Sequence, residues 1–177
     1  MSNYLFTSER LGFRNWQPAD IAQMAAINAD ADVMEFFPGT KTYEESEAFV
    51  KLMQQQLTDK GYCYFAVDTL AETQFIGFIG ISEPTFESSF TPCTDIGWRL
   101  SKASWNKGYA TEGAKRCLSY AFDELKLKSV VATAPKVNIR SQQVMIKAGM
   151  NKVMEFVHPR LIDNDRLRDC VLYEIMG

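Results

Sequence analysis

The first regular pattern along the chain is an alternation of apolar and charged side chains over residues 9–14. Leu11 and Phe13 are the apolar positions, and Arg10 and Arg14 are charged positions on either side of them. This period of two is typical of a β-strand with one buried and one polar face. The pattern therefore predicts a half-buried strand in this segment.

Two helices are predicted next. Pro18 suits the first turn of a helix, where its missing N–H costs no hydrogen bond, and apolar residues then recur at helical spacing over 19–28. Thr42 followed by Glu45 is the pattern of a capping box, in which each side chain accepts a hydrogen bond from the other residue's backbone N–H. It predicts a second helix over 43–60.

The rest of the chain alternates between short apolar runs and stripes of apolar residues at helical spacing. Turn-forming residues bound the short runs, so each run predicts a strand. The predicted strands lie at 62–67, 74–81, 95–100, 129–134, 152–158 and 169–175. One predicted helix follows Gly108 for about four turns, and another spans 138–148.

These elements amount to about seven strands and four helices, with no repeat or low-complexity segment between them. We expect a single α/β (α+β) domain over residues 1–177. Its elements should share one mixed, mostly antiparallel sheet with helices on both faces. The chain has 177 residues, 46% of them hydrophobic, which is enough for one buried core.

Charge and apolar run length exclude two kinds of partner. A formal net charge of -3 lacks the positive excess on which non-specific nucleic-acid binding depends. Residues 75–79 form one of the longest apolar runs, far short of the roughly 20 residues of a membrane span. The first residues lack the basic start and long apolar stretch of a secretory signal, so we expect a cytoplasmic protein.

Metal and redox chemistry are not expected either. His158 is the only histidine in the sequence, which excludes a site built from several histidines. The cysteines lie too far apart for a Cys-x-x-Cys unit and are expected to be reduced thiols. They are Cys63, Cys93, Cys117 and Cys170.

The segment with the clearest chemical potential joins the predicted strand 95–100 to the helix after Gly108. Glycine allows a ligand to approach the backbone closely. The first N–H groups of a helix have no internal acceptors, so they can bind an anion such as a pyrophosphate. A tight turn would also explain Gly108, and spacing alone leaves both interpretations open.

The residues around Gly108 resemble the GNAT superfamily of N-acetyltransferases. The pyrophosphate loop of that family has the form Gln/Arg-x-x-Gly-x-Gly/Ala, and Gly108 and Ala110 hold its two small positions. The string Trp-Asn-Lys-Gly-Tyr-Ala-Thr-Glu at 105–112 is similar to the branch that acetylates the N-terminal alanine or serine of ribosomal proteins. In that branch, a tryptophan such as Trp105 commonly replaces the first polar residue.

Three further segments carry the same resemblance. Asn138-x-x-Ser141, followed by Lys-Ala-Gly-Met at 147–150, is similar to the second signature of the family. The opening Ser-Glu-Arg-Leu at 8–11 and the closing Asp-Cys-Val-Leu-Tyr at 169–173 also resemble the ribosomal branch. The resemblance thus covers essentially the whole chain.

The resemblance implies a GNAT-type sheet and an acetyl-CoA site. The fourth and fifth predicted strands, 95–100 and 129–134, would splay apart, and the fourth would carry a bulge. Unpaired backbone groups would then hold the pantetheine arm of acetyl-CoA like an added strand. The cofactor-binding residues implied are Ile96, Trp98, Arg99, Leu100, Lys107, Gly108, Tyr109, Ala110, Thr111, Asn138 and Ser141.

Asn138 and Ser141 each admit a second interpretation. Asn138 is implied to bind the cofactor near its thioester, but it also fits the N-cap of the following helix. Many family members place a tyrosine acid seven residues after this asparagine, where this chain has Met145. The ribosomal branch is thought to use a serine instead, so Ser141 is implied as the acid. A surface serine in the first helical turn is the alternative.

The general base is left open by the sequence. The ribosomal branch has a glutamate just before the final hairpin, where this chain reads His-Pro-Arg-Leu at 158–161. His158 is a candidate because its ordinary pKa lies near neutrality. Asp95, Glu83 or a water molecule are the alternatives.

The implied reaction is direct acetyl transfer from acetyl-CoA to a primary amine, without a metal. The preferred acceptor is a protein or peptide N-terminal α-amine. One alternative is a small amine such as a polyamine, an amino acid or an antibiotic, and another is a non-catalytic acyl-CoA-binding module. A monomer and a homodimer both remain open.

Acceptor recognition is expected in the first two predicted helices and the final hairpin. The segment 35–38, with two adjacent phenylalanines before a proline, is a candidate wall of the cleft. Three acidic side chains in this region could favour a cationic acceptor, although a solvated helix face also explains the last two. They are Glu35, Glu44 and Glu45.

Overall fold

The structure is a computed structural model that describes residues 4–177. The helices are α1 (Asp20–Ala29), α2 (Tyr43–Lys60), α3 (Tyr109–Ser119), which continues as a π-helical turn (Tyr120–Glu124), and α4 (Ile139–Lys147). The strands are β1 (Phe6–Thr7), β2 (Leu11–Arg14), β3 (Tyr64–Thr69), β4 (Gln74–Ser82), β5 (Asp95–Leu100), β6 (Ser129–Pro135), β7 (Asn151–Val157) and β8 (Asp169–Met176).

All eight strands belong to one sheet, in the order β1-β2-β3-β4-β5-β6-β8-β7. Every neighbouring pair is antiparallel except β5 and β6, which run parallel. The predicted mixed, mostly antiparallel sheet is therefore confirmed. The additional strand is β1, whose two residues are too few to show a period in the sequence.

Helices cover both faces of the sheet, as predicted. Phe78 and Ile79 are adjacent in β4 and so point to opposite faces. The Phe78 ring lies 5.2 Å from the ring of Phe49 in α2. Ile79 lies against Gly113 in α3, where an added Cβ would come within 2.3 Å of its Cδ1 atom. The sheet is thus buried between α2 on one side and α3 on the other.

The capping box predicted for α2 is present. Thr42 Oγ1 accepts a hydrogen bond from Glu45 N at 3.2 Å, and Glu45 Oε2 accepts one from Thr42 N at 2.8 Å. The helix ends at Gly61, whose φ of 78° is left-handed and favours glycine. Both ends of α2 are therefore set by local sequence, and its observed bounds match the predicted range.

The strands β5 and β6 splay apart, as the family resemblance implied. They share one ladder pair, Asp95 with Val131, and Val131 N donates to Thr94 O at 2.9 Å. The backbone of β5 therefore runs on from Asp95 to Leu100 without further ladder pairing to β6 within residues 4–177. This leaves a gap between the two strands.

The bulge expected in β5 is absent, and this expectation was wrong. β5 pairs with β4 residue for residue from Asp95 to Leu100. The irregularity lies one strand away, where the register of β3 against β4 shifts between Val67 and Asp68. Gly77 of β4 has a φ of 128° there, and an added Cβ would lie 2.1 Å from Arg99 O. Glycine is required because the neighbouring backbone leaves no room for a side chain.

A buried ionic network joins α1 to the sheet. Arg14 of β2 donates to Asp20 at 2.7 and 2.9 Å and to Asp68 at 2.7 and 2.8 Å. Burial alone would lower the pKa of Arg14, but its hydrogen bonds to two carboxylates outweigh burial and raise that pKa. The guanidinium thus remains charged and fixes the start of α1 against β2 and β3.

No helix within residues 4–177 is both long enough and apolar enough to cross a membrane.

Candidate active site

The loop before α3 exposes a run of backbone N–H groups. Gly108 has a left-handed φ of 82°, and Glu112 N donates to Gly108 O at 3.0 Å to close the first helical turn. The N–H groups of residues 107–111 have no hydrogen-bond partner in the described part of the chain. With the positive end of the α3 dipole behind them, they form a cradle suited to an anion.

A tether from the N-terminal segment holds this cradle in place. Glu112 accepts hydrogen bonds from Ser8 Oγ at 2.7 Å, Arg10 N at 2.8 Å and Arg10 Nε at 2.7 Å. Arg10 Nη1 also donates to Lys107 O at 3.0 Å. Burial alone would raise the pKa of Glu112, but these hydrogen bonds outweigh it and lower that pKa. Glu112 therefore supports the loop rather than the chemistry.

This role of Glu112 was missed by sequence reasoning. The signal was present, because the Ser-Glu-Arg segment at 8–10 and the Thr-Glu end of the loop both matched the family pattern. Nothing in the sequence alone showed that two segments about a hundred residues apart touch.

A cleft of about 570 Å³ lies beside the cradle, between the end of β5 and α4. Most of the predicted cofactor-binding residues line it: Trp98, Arg99, Leu100, Gly108, Tyr109, Ala110, Thr111, Asn138 and Ser141. Ile96 does not line the cleft, since its side chain is only 3% exposed in the core. Lys107 also lies outside the lining, and its side chain is exposed.

The backbone of β5 faces the gap at alternate residues. Ser101 N donates to Ile76 O in β4 at 2.8 Å, whereas Thr94 O points to β6, where it accepts from Val131 N. Backbone groups alternate in direction along a strand, so those of Ile96 and Trp98 face β6. The parallel pairing of Asp95 with Val131 engages the N–H of Ile96, so the carbonyl of Ile96 and both backbone groups of Trp98 are left facing the gap. The carbonyl of Leu100 points the same way and already accepts from Trp105 Nε1 at 3.0 Å.

Asn138 is the N-cap of α4, which was one of its two predicted roles. Its Oδ1 accepts from Ser141 N at 3.1 Å, and its Nδ2 donates to Ser141 Oγ at 3.2 Å. Because the serine oxygen already accepts a hydrogen bond, its hydroxyl proton remains available for donation into the cleft. Met145, one turn further along α4, is only 2% exposed in the core.

The cleft has a positive lining. Arg99, Arg140 and Lys147 line it, and none of the three forms an ion pair with a carboxylate in the described chain. The acidic side chain in the lining, Asp32, is paired with Lys102. The guanidinium of Arg140 also stacks over the Trp105 ring, 5.1 Å from its centroid. The cleft therefore favours anionic ligands.

A shallower groove of about 450 Å³ adjoins α1 and α2. It is lined by Asn28, Lys41, Glu45, Ala48, Phe49, Leu52, Tyr64, Phe78 and Arg99. Arg99 lines both the cleft and this groove. The two cavities thus meet at one side chain of β5.

A half-buried carboxylate lies behind the groove. Asp95 accepts hydrogen bonds from Tyr64 Oη at 2.8 and 2.9 Å. Burial raises the pKa of Asp95 to about 6, although the hydrogen bond from Tyr64 acts in the opposite direction. Burial also raises the pKa of Tyr64 well above its usual value, so the phenol stays protonated at neutral pH.

The other predicted base candidates lie apart from the cleft and the groove. His158 lines neither cavity; it packs against Phe86, with ring centroids 4.4 Å apart. Burial and the charge of Arg160 lower the pKa of His158. Glu83 is bonded to Lys60 and to Tyr62 Oη, which lower its pKa. Asp95 is therefore the candidate that contacts a residue of the groove.

The acidic residues expected to attract a cationic acceptor are largely neutralised. Glu35 pairs with Arg166 at 2.8 Å. Glu45 belongs to the capping box and pairs with Lys41 at 3.3 Å. Glu44 lines neither cavity. Within the expected wall 35–38, Phe36 and Phe37 do line the cleft.

Comparison with known families agrees with this geometry. The family described as Acetyltransferase (GNAT) domain matches residues 10–151. The chain belongs to the GNAT acetyltransferase family, whose members take the acetyl group from acetyl-CoA and transfer it to an amine. It is 33% identical to the uncharacterized N-acetyltransferase YnaD of Bacillus subtilis over 147 residues, 82% of each chain.

Solved structures show the same fold. A GNAT-family acetyltransferase from Bacillus anthracis is similar with a TM-score of 0.79 and 30% identity, over 96% of each chain. The ribosomal-protein-S5-alanine acetyltransferase of Vibrio fischeri is similar with a TM-score of 0.77 and 18% identity, over 97% of this chain and 95% of that one. At 18% identity, the second similarity shows a shared fold and nothing more.

Proposed function

We propose that this chain transfers the acetyl group of acetyl-CoA directly to the α-amine at the N-terminus of a protein or peptide. The observation that carries the proposal is the gap between β5 and β6. The anion cradle lies in the cleft at this gap, and a second groove meets the cleft at Arg99. Two ligands can therefore approach each other at the end of β5.

The cleft has the chemistry that acetyl-CoA requires. The unpartnered N–H groups of residues 107–111 fit a pyrophosphate, and Arg140 and Lys147 add positive charge for phosphate groups. The carbonyl of Ile96 and the backbone groups of Trp98 that face the gap would pair with the pantetheine amides. When bound, acetyl-CoA supplies a thioester whose acetyl group is open to attack by an amine.

Two groups of this chain are suited to the changes of charge during transfer. The N–H group of Trp98 faces the gap and can donate to the thioester oxygen as it gains negative charge. Ser141 lines the cleft, and its proton is available because Asn138 occupies the serine oxygen. In this proposal Ser141 delivers the proton to the leaving sulfur.

Tyr64 and Asp95 form the proton acceptor in this proposal. An α-amine with a pKa near 8 is about one-tenth neutral at pH 7, so a weak base is enough. Tyr64 lines the groove and donates to Asp95. As the phenol oxygen accepts a proton from the amine, directly or through water, the phenol proton passes to the Asp95 carboxylate. The net change is one proton moved from the amine to Asp95.

A small-molecule amine is the second candidate acceptor. The groove volume of about 450 Å³ falls within the range of roughly 300–1,000 Å³ typical of small-molecule sites. An amino acid would fit the positive lining better than a polyamine, because Arg99 would repel a polycation.

Acetyl transfer to a defined panel tests the proposal. The panel contains peptides with free N-termini, the same peptides with blocked N-termini, and small amines including spermidine and free amino acids. Isotope-labelled acetyl-CoA supplies the acetyl group, and mass spectrometry locates it. We expect label on free peptide N-termini and none on blocked peptides. Label confined to small amines would replace the proposal by the second candidate.

A further inference from the structure

Arg99 is a cation without a counter-ion at the junction of the two cavities. Its Nη1 donates to Asn28 Oδ1 at 2.7 Å, whereas its Nε is buried without a hydrogen-bond partner. No carboxylate within residues 4–177 forms an ion pair with it. Burial lowers the pKa of Arg99 to about 10, which still leaves the side chain charged at neutral pH. An unpaired buried donor of this kind is costly in free energy.

The guanidinium is held in a fixed orientation. It lies over the ring of Phe37, 4.2 Å from the centroid, and 5.4 Å from that of Phe78. Its partner Asn28 is itself fixed, because Asn28 Nδ2 donates to Ser46 Oγ at 2.9 Å. Ser46 Oγ in turn donates to Thr42 O at 2.9 Å. Asn28 occupies Nη1 and protein atoms enclose Nε, so Nη2 is the donor of Arg99 that is left for a ligand.

Another arginine in this chain shows how a guanidinium binds a carboxylate. Arg14 Nε and Nη2 donate to the two oxygens of Asp68 at 2.7 and 2.8 Å. This two-bond geometry is the one in which arginine recognises carboxylates most strongly. Arg99 differs from Arg14 in that no residue of the described chain fills the corresponding position.

The position of Arg99 favours contact with the acceptor rather than with acetyl-CoA. Arg140 and Lys147 lie on α4, beside the anion cradle, whereas Arg99 contacts α1 through Asn28 and also lines the groove. We propose that Arg99 binds a carboxylate of the acceptor, so that the enzyme selects amines with a carboxylate close to the reacting nitrogen. This inference rests on the proposed function and narrows its substrate class.

Two kinds of acceptor carry that chemistry. One is a peptide whose first or second residue is Asp or Glu, and the other is a free amino acid, which has its own α-carboxylate. Both place one carboxylate a few bonds from a reactive α-amine. The carboxylate is the shared feature, and the two sources are separated by the substrates chosen for the test.

The test compares matched acceptors on the wild-type protein. Peptides that begin with Asp or Glu are paired with those that begin with Asn or Gln, and free amino acids are paired with their amides. We expect kcat/KM to be at least about tenfold higher for the acidic member of a pair. Equal rates within every pair would overturn the inference.

Variants of Arg99 and Arg140 then test which residue causes the preference for acidic acceptors. In Arg99→Gln, the acidic and neutral acceptors should react within about twofold of each other, because the acidic acceptors lose more activity than the neutral ones. Arg99→Lys should recover part of the preference, because it keeps the charge but not the paired donors. Arg140→Gln is the matched control: it should raise KM for acetyl-CoA and leave the preference intact. A preference that survives in Arg99→Gln would contradict the assignment.

The outcomes separate this inference from the proposed function. Peptides labelled equally in acidic and neutral pairs would support the proposed function and overturn the inference. A carboxylate preference seen with free amino acids alone would support the inference and overturn the peptide acceptor. If Arg99→Gln fails to fold, the wild-type comparison of matched acceptors still decides whether the preference exists.

Discussion

Gly108 shows how one residue controls the anion cradle. Its φ of 82° strains any β-branched residue, and a Cβ there would lie 3.3 Å from Arg10 Nη2. We expect Gly108→Val to weaken binding of CoA by at least about tenfold, because the N–H groups of the loop would lose their alignment. Calorimetric titration with CoA measures this.

Gly61 provides the control for backbone strain. Its φ of 78° is similar, but nothing lies within 4 Å of its added Cβ, and it ends α2 outside the cleft. Gly61→Val should therefore cost stability and leave CoA affinity unchanged. Undiminished CoA affinity in Gly108→Val would remove the loop from the binding site.

Asp95 should determine how kcat/KM falls at acidic pH, which is the acid limb of its pH profile. Burial raises its pKa to about 6, so kcat/KM should fall as the pH drops below 6 and the carboxylate takes up a proton. We expect Asp95→Asn to abolish this limb and to lower turnover by about 10² or more. Glu83→Gln, which removes a carboxylate outside both cavities, should keep the limb. An unchanged profile in Asp95→Asn would exclude Asp95 as the base.

The same pKa shift predicts a change in stability with pH. The folded state holds the proton of Asp95 up to about pH 6, whereas the unfolded state releases it near its ordinary pKa of 3.8. The folded state thus binds more protons in this window, and the contribution of Asp95 to stability falls as the pH rises through it. Asp95→Asn should gain on the order of 1–3 kcal/mol relative to wild type between pH 4 and pH 7. Thermal unfolding at both pH values tests the sign.

At the scale of the element, α1 depends on the network around Arg14. Removing that side chain would leave Asp20 and Asp68 as buried charges without a partner. We expect Arg14→Met to cost about 3–5 kcal/mol in the free energy of unfolding. Urea unfolding measures this.

Arg168 provides the control for this loss of stability. It pairs with Asp165 and Asp169 at exposed positions, so Arg168→Met should change stability by less than about 1 kcal/mol. Similar losses in both variants would show that the network does not fix α1.

Helix bounds that are set by nearby residues in the sequence were predicted closely. Irregularities that depend on a neighbouring strand were not. The capping box and the glycine that follows fix α2 in the sequence itself. The bulge was placed in β5 by family resemblance, but the register shift occurs between β3 and β4 at Gly77. The strain there comes from Arg99 O of the next strand, a contact that the sequence around Gly77 does not reveal.

At the scale of the whole molecule, the residues around the cleft were easier to predict from the sequence than those around the groove. The cradle is one continuous segment, so its residues can be identified from a motif. The groove combines Asn28 of α1, Tyr64 of β3 and Arg99 of β5. These residues meet only because the strand order brings β3, β4 and β5 side by side. Asp95 was one of several candidate bases in the sequence, and its contact with Tyr64 is seen only in the structure.

The most direct test of the central claim uses one peptide with two amines. The peptide begins with Asp, has a free N-terminus and carries an internal lysine, and fragmentation by mass spectrometry locates the acetyl group. The α-amine has a pKa near 8 and the lysine amine near 10.4, so a weak base favours the first. We predict acetylation of the α-amine alone, dependent on acetyl-CoA. Acetyl groups on the lysine would contradict the claim. So would a lack of any acetylation when this protein has been shown to bind CoA.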